Sequence, residues 1–269
     1  MPFNVRQIRC APIGRCIYCG TDGGDDGLRE EHVVPFCLAG PMIMPEASCD
    51  PCAGKTSFIE GYCGRVMFQI HRIKNQYPTR RPKERPKTLP ISITVDGHTE
   101  TISAPVENYP RVLVMPRFQP PGVLRGREPA TSWDDMSLIG SMQKPSKAIG
   151  IEGFGVPLKL NPRTFTRLLA KIGRCLAVLR YGMDGFRPLL IKHILEDDPF
   201  APHWIGGSTE THPPDPGTEH DLQMYTVMSE QNERIIVAKM RLFAYEPTPT
   251  YTVVVGIALA EPRADSTIF

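Results

Sequence analysis

CIYCGTDGGDDGLREEHVVPFCLAGPMIMPEASCDPC, residues 16–52, holds two Cys-x2-Cys knuckles, Cys16/Cys19 and Cys49/Cys52. Each knuckle lets two thiolates grip one metal from a tight turn, and together they make a tetrahedral four-thiolate set that zinc fills best in a reducing compartment. The alternative is four buried cysteines without a metal, but two regular knuckles, with Gly20 after the first, argue against it. The 29 residues between the knuckles exceed a simple zinc ribbon, so a whole hairpin is inserted there. Cys10, Cys37 and Cys63 lack such pairing and read as small core residues.

Outward from this block, the composition bounds the rest. The chain has 269 residues, 41% hydrophobic and 22% charged, enough for a real core in one large domain or two modest ones. The 28 prolines and 23 glycines favour turns and short strands over a helical bundle. No apolar run approaches the roughly 20 residues of a membrane span, and MPFNVRQIRC has no apolar signal region. The expectation is a cytoplasmic protein without a membrane partner. With a net charge of +2, only local charge could mark a nucleic-acid partner.

That local charge is pronounced. Residues 1–64 carry five Lys/Arg against eight Asp/Glu, whereas Arg65 to Lys87 carries eight basic residues against the single Glu84. PTRRPKERPK within it has too many prolines for a helix and reads as an extended linker. Three regions follow: residues 1–76 as a zinc-binding head, 77–90 as a basic proline-rich linker, and 91–269 as an α+β domain. ISITV-DG-HTETI predicts a hairpin turning on Asp96-Gly97, and RVLVM (111–115) a further strand. Asn161 and Pro162 open a helix whose Phe165, Leu168, Leu169, Ile172, Leu176 and Leu179 recur at helical spacing until Gly182. ERIIVAKMRLFAY and YTVVVGIAL predict an antiparallel pair of strands. Glu196 to Asp221, with five prolines and three histidines, reads as a solvated acidic loop, and Tyr77 as an aromatic able to stack on a base.

Inside the insert, Glu30-Glu31-His32-Val33-Val34-Pro35 precedes Leu38-Ala39-Gly40 and then the second knuckle. This pattern resembles the HNH endonucleases, closely over residues 16–75, and RRPKERPKTLP and LAKIG extend the likeness to a bacterial type with an enlarged C-terminal domain. The resemblance implies an α+β protein whose small zinc-stabilised ββα-metal head precedes an α+β domain with antiparallel strands. It implies a metal-dependent DNA endonuclease, with His32 as general base and Glu31 as ligand of Mg2+ or Mn2+, and by association an effector role in bacterial anti-phage defence. The partner implied is DNA, in double-stranded form. A homo-oligomer, and a ligand or protein partner of the C-terminal domain, stay open.

The chemistry agrees. Phosphodiester hydrolysis needs a base near neutral pKa, for which histidine is suited, and a Lewis acid, for which a carboxylate can hold a hard cation. Along a strand Glu31 and His32 point to opposite faces unless a bulge intervenes. The asparagines that many HNH relatives carry before and after the second knuckle are missing: the loop is PMIMPEAS, and Ala53-Gly54-Lys55 follows Cys52. Ser48, Thr56, Ser57 and Glu60 are the candidate replacements, and Glu60 shares a helix face with position 53. Lys55, Arg65, Arg72, Lys74, Arg80, Arg81, Lys83 and Arg85, with Lys87, form the expected phosphate-contacting set. The competing reading is a catalytically inactive zinc-dependent protein that binds nucleic acid.

Overall fold

Residues 6–143, 152–208 and 212–263 are described by a computed structural model. Strand β1 (Ile8–Arg9) runs parallel to β3 (Met42–Ser48), and β2 (Arg29–His32) pairs antiparallel with β3, giving the order β1-β3-β2. Helix α1 (Asp50–Tyr62) follows at once, with Cys49 at its N-cap position and Pro51 in the first turn. Two antiparallel strands and a helix therefore enclose the quoted block. The chain continues through a π-helical turn, Cys63–Met67, into α2 (Gln69–Lys74). Single π-turns of this kind recur at functional sites.

The remainder is a set of antiparallel sheets around one long helix. Strands β4 (Thr88–Val95) and β5 (His98–Pro105) form the expected hairpin, with Asp96 at φ +49° and Gly97 at φ +73°. β6 (Arg111–Arg117) pairs with β7 (Ser137–Gln143), and β8 (Gly153–Gly155) adds to the far side of β4. Helix α3 (Pro162–Tyr181) is capped by Asn161, whose Oδ1 accepts from the Thr164 N–H at 3.1 Å, and ends at Gly182 with φ +75°. β9 (Phe186–Pro188), α4 (Ile191–Glu196), α5 (Ala201–Trp204) and β10 (Ile205–Gly207) lead to β11 (His220–Met228), β12 (Arg234–Leu242) and β13 (Tyr251–Ala258). The order is β10-β13-β12-β11, with β9 along the other end of β13.

Phe165, Leu168, Leu169, Ile172 and Leu176 of α3 are fully buried, as their spacing predicts, each contributing about 1.5–3 kcal/mol. A Cβ on Gly173 would lie 3.0 Å from Val255, so this glycine lets α3 settle closely on the sheet. Lys171 and Arg174 are buried too, on the flank facing residues 16–33. This helix is enclosed on both sides.

Two sequence expectations change here. The stretch 77–90 is not a spacer between two cores. Ile17, Val33, Leu38, Phe68 and Tyr77 belong to the same hydrophobic core as Phe165, Ile172, Phe243 and Val253, and Phe68 packs edge-on against both Phe165 and Phe243. Leu89, within the same stretch, packs with Ile70, Ile73, Ile91, Tyr109 and Val112 in a second core. Prolines exclude a helix but do not stop the apolar residues at either end of the run from anchoring it. The supposed acidic loop holds the end of α4, all of α5 and β10, and the start of β11; its residues 209–211 lie outside the described residues, as do 144–151 of the Pro/Gly-rich stretch. The structure is α+β with antiparallel sheets, and among the described residues no helix is long and apolar enough to cross a membrane.

Candidate functional site

The four knuckle cysteines converge. The sulfurs of Cys16, Cys19, Cys49 and Cys52 all lie within 4.8 Å of one another, and Cys19 Sγ is 3.5 Å from Cys49 Sγ. A tetrahedral zinc with Zn–S near 2.3 Å holds its sulfurs about 3.8 Å apart, so the donor set fits that ion. Gly20, at φ +82°, donates its N–H to the Cys16 carbonyl and closes the first knuckle. The second knuckle is the start of α1, where burial raises the Cys49 and Cys52 thiols, so metal binding there would release their protons. Burial raises the Cys16 thiol, but backbone N–H groups of Cys19, Cys49 and Tyr18 outweigh it and bring its pKa down to about 7. The other cysteines read as core differ in position: Cys63 is fully buried, Cys10 and Cys37 are half-buried, and Cys37 lines the cleft described below.

On β2 of the same β2–β3–α1 unit, strand alternation separates Glu31 from His32. A register shift falls between Arg29 and Glu31, leaving Glu31 opposite Met44 and His32 opposite Ile43. Glu31 turns inward and is 5% exposed; His32 faces a cleft, its ring against Phe36. His32 Nε2 is 4.0 Å from Glu30 Oε1, and its buried Nδ1 has no hydrogen-bond partner among the described residues. Burial, aided by the Lys171 charge, lowers the His32 pKa, so the ring is neutral at neutral pH.

Glu31 and Glu60 are brought together, but around a side chain absent from the sequence reading. Lys171 Nζ lies 2.8 Å from Glu31 Oε1 and 2.8 Å from Glu60 Oε1, and donates to the carbonyls of His32 and Val33. Burial would lower the Lys171 pKa, yet the two carboxylates outweigh it and raise the value, so it stays an ammonium. A divalent ion on Glu31 does not fit this arrangement, because the ammonium occupies the space between the carboxylates. Three residues on, Arg174 donates from Nε to the Ile17 carbonyl at 2.7 Å behind the first knuckle. Of the other replacements for the missing asparagines, Ser57 lines the cleft, whereas Ser48 and Thr56 are buried with their hydroxyls on nearby carbonyls.

The cleft measures about 690 Å³. Its walls are His32, Phe36 and Cys37 on one side, Ser57, Glu60, Gly61 and Arg65 on the helical floor, and Thr79, Arg80, Arg81, Glu84, Arg85 and Pro86 on the other. A second hollow of about 540 Å³ shares Ile73 and Arg85 with it and adds Lys74 and Lys87. Gly61 leaves room for the Arg65 guanidinium over α1, which a Cβ there would push aside. The basic set of the sequence divides accordingly. Arg65, Arg80 and Arg81 are exposed on the cleft walls, and Arg85 lines it while donating to the Tyr77 carbonyl at 2.5 Å. Arg72 also reaches the cleft, but its guanidinium is spent on the Cys37 and Gly64 carbonyls at 2.6 and 2.7 Å. Lys74 is likewise committed, to the Val106 and Glu107 carbonyls at 2.8 and 3.1 Å. Lys55 and Lys83 are exposed outside the cleft lining. Tyr77 does not offer a stacking face: it is 1% exposed, with its hydroxyl shared among Tyr245, Glu219 and His71.

The helical spacing around Lys171 marks α3 but gives no sign that a lysine on it would be buried. No family model matches the chain, and neither a curated protein nor a solved structure matches it.

Proposed function

We propose that the protein cleaves phosphodiester bonds of nucleic acid, DNA in the first place, in the cleft that His32 lines, with His32 as general base. The observation that carries this reading is the convergence of a neutral histidine with Arg65, Arg80, Arg81 and Arg85 around one hollow. A neutral imidazole lining the hollow can take the proton of an attacking water. Guanidinium groups bind phosphate oxygens in bidentate fashion and stabilise charge as it builds on phosphorus substituents. Zinc at the cysteines organises the strand and helix carrying these groups and stands outside the chemical step. The HNH likeness of Glu31-His32 and Pro35 points the same way, and an effector role in anti-phage defence is part of that same proposal.

The second reading, a zinc module that binds nucleic acid without cutting it, is favoured by the commitment of Glu31 to Lys171. Plasmid DNA incubated with the purified protein in Mg2+, Mn2+ or EDTA, beside His32→Ala, separates the two. Cleavage by the wild type that His32→Ala abolishes supports the enzyme. Binding without cleavage in every condition replaces it with the silent module.

A further inference from the structure

Lys171 is completely buried on α3, and its Nζ meets four oxygens supplied by β2, the residue after it, and α1. An ammonium has three donors, so four oxygens are more than it can serve with straight hydrogen bonds. Two carboxylates and two backbone carbonyls are a hard-oxygen set of the kind that Mg2+ or Mn2+ takes. Glu31 and Glu60 both face the single ammonium; burial raises the Glu31 pKa, and the Lys171 charge works against that rise. Other groups bear on this balance: Tyr18 beside Glu31, Cys37 and Cys63 near Glu60, Cys175 on α3, and His32 with Glu30 and Arg80 toward the cleft. Arg80 is the fixed cation among them, and it acts on His32.

We propose that Lys171 is the resident cation of a divalent-type oxygen site, and that it positions the His32 strand from α3 in the way a metal would from solution. Two consequences follow directly. The wild-type protein does not take up a divalent ion on Glu31 and Glu60, because the ammonium already neutralises them. Removing the ammonium and its four-carbon stem exposes both carboxylates, so the vacated site gains affinity for a divalent ion. Lys171 is thus a positioning residue: it holds the carbonyl of His32, not the reacting atoms.

The probe is Mn2+, titrated into the full-length, zinc-loaded protein and followed by the electron paramagnetic resonance signal of the free ion. Wild type should bind no Mn2+ whose uptake depends on Glu60, as judged by Glu60→Gln. Lys171→Ala should bind one Mn2+ per chain, should lose it in Lys171→Ala/Glu31→Gln, and should recover part of its lost thermal stability on adding Mn2+. A purely structural lysine would not give that metal-specific recovery. Wild-type Mn2+ binding that Glu60→Gln abolishes overturns the proposal, and so does a folded Lys171→Ala that binds no Mn2+. If Lys171→Ala fails to fold, the wild type and Glu60→Gln decide between them, since Glu60 lies at the partly exposed edge of the site. No substrate enters this measurement, so it fails or succeeds independently of the plasmid assay.

Discussion

The two sides of the β2–β3–α1 unit use the same three elements and are completed in different ways. On the cysteine side all four sulfurs come from residues 16–52, two from each tight turn, in a cluster that could hold one metal ion. On the cleft side the unit supplies Glu31, His32 and Glu60, but the cation that joins the carboxylates arrives from α3, and the arginines come from residues 65–85. One side is a local donor set suited to an ion. The other is closed by tertiary packing, with a lysine between its carboxylates. Stability of the first should therefore respond to metal and of the second to the seating of α3.

The sharpest way to break this contrast is Cys49→Ser. Structural zinc contributes apparent free energies of about 10–16 kcal/mol in isolated zinc-finger peptides, although the α3 contacts will retain some of the fold here. We expect zinc content by elemental analysis to fall from one ion per chain to none, and the thermal transition to drop by about 10 °C or more, given about 2–4 °C per kcal/mol at this chain size. Zinc retained, or an unmoved transition, would remove the metal from the cysteine side.

Next in size is Lys171→Met on the cleft side. It leaves Glu31 buried without a counter-charge, a change that costs about 3–5 kcal/mol. Lys171→Met/Glu31→Gln should recover much of that loss, because both buried charges go together. Denaturant melts of the two variants check it. Equal destabilisation by single and double variants would mean that packing, not charge, is what Lys171 supplies.

The unequal legibility of the two sides has the same physical origin as their unequal construction. The Cys-x2-Cys spacing, the Asp96-Gly97 turn, the Asn161 cap and the β12 and β13 strands are local patterns, and each appears where the spacing places it. β11 escaped notice because it is the edge of its sheet and leaves Tyr225 and Met228 exposed, so it lacks a continuous apolar run. Lys171, Arg72 and Lys74 could not be sorted from free cations by spacing, since their partners are backbone carbonyls distant in sequence. The division into head, linker and C-terminal domain followed prolines and charge, which report on local backbone and solvent. They carry no information on a core shared by Phe68 and Phe165.

His32→Ala tests whether the cleft side does chemistry as well as hold together. Loss of a general base costs about 100-fold or more in rate, whereas zinc content and the thermal transition should stay near wild type because the cysteines and Lys171 are untouched. The sign of the pH dependence is fixed by the burial that lowers the His32 pKa: the proton-accepting form is half lost only below pH 6.5, the ordinary histidine value. Cleavage should therefore fall on acidification with its midpoint below that pH. A midpoint above it, or a His32→Ala variant that cuts like wild type, dismisses this base.

The smallest effect separates cations that face the cleft from cations that hold the fold. Arg80 and Arg81 are exposed on the cleft wall, and the Arg81–Glu84 pair, at 3.4 Å with both side chains in solvent, restrains little. Lys74 has both its contacts on carbonyls of the neighbouring segment. Each guanidinium that neutralises one phosphate releases condensed counterions, so its removal lowers the slope of log affinity against log salt by about 0.9 on duplex DNA. Arg80→Gln and Arg81→Gln should each do so, with a loss of affinity similar across DNA sequences. Lys74→Gln should leave the slope unchanged and show its cost in thermal stability, because the carbonyls of Val106 and Glu107 lose a donor. Titrations at several salt concentrations, read beside the melting curves, give the comparison. A slope that falls equally for Lys74→Gln would place the phosphate track along the second hollow, beyond Arg85, and move the substrate away from His32.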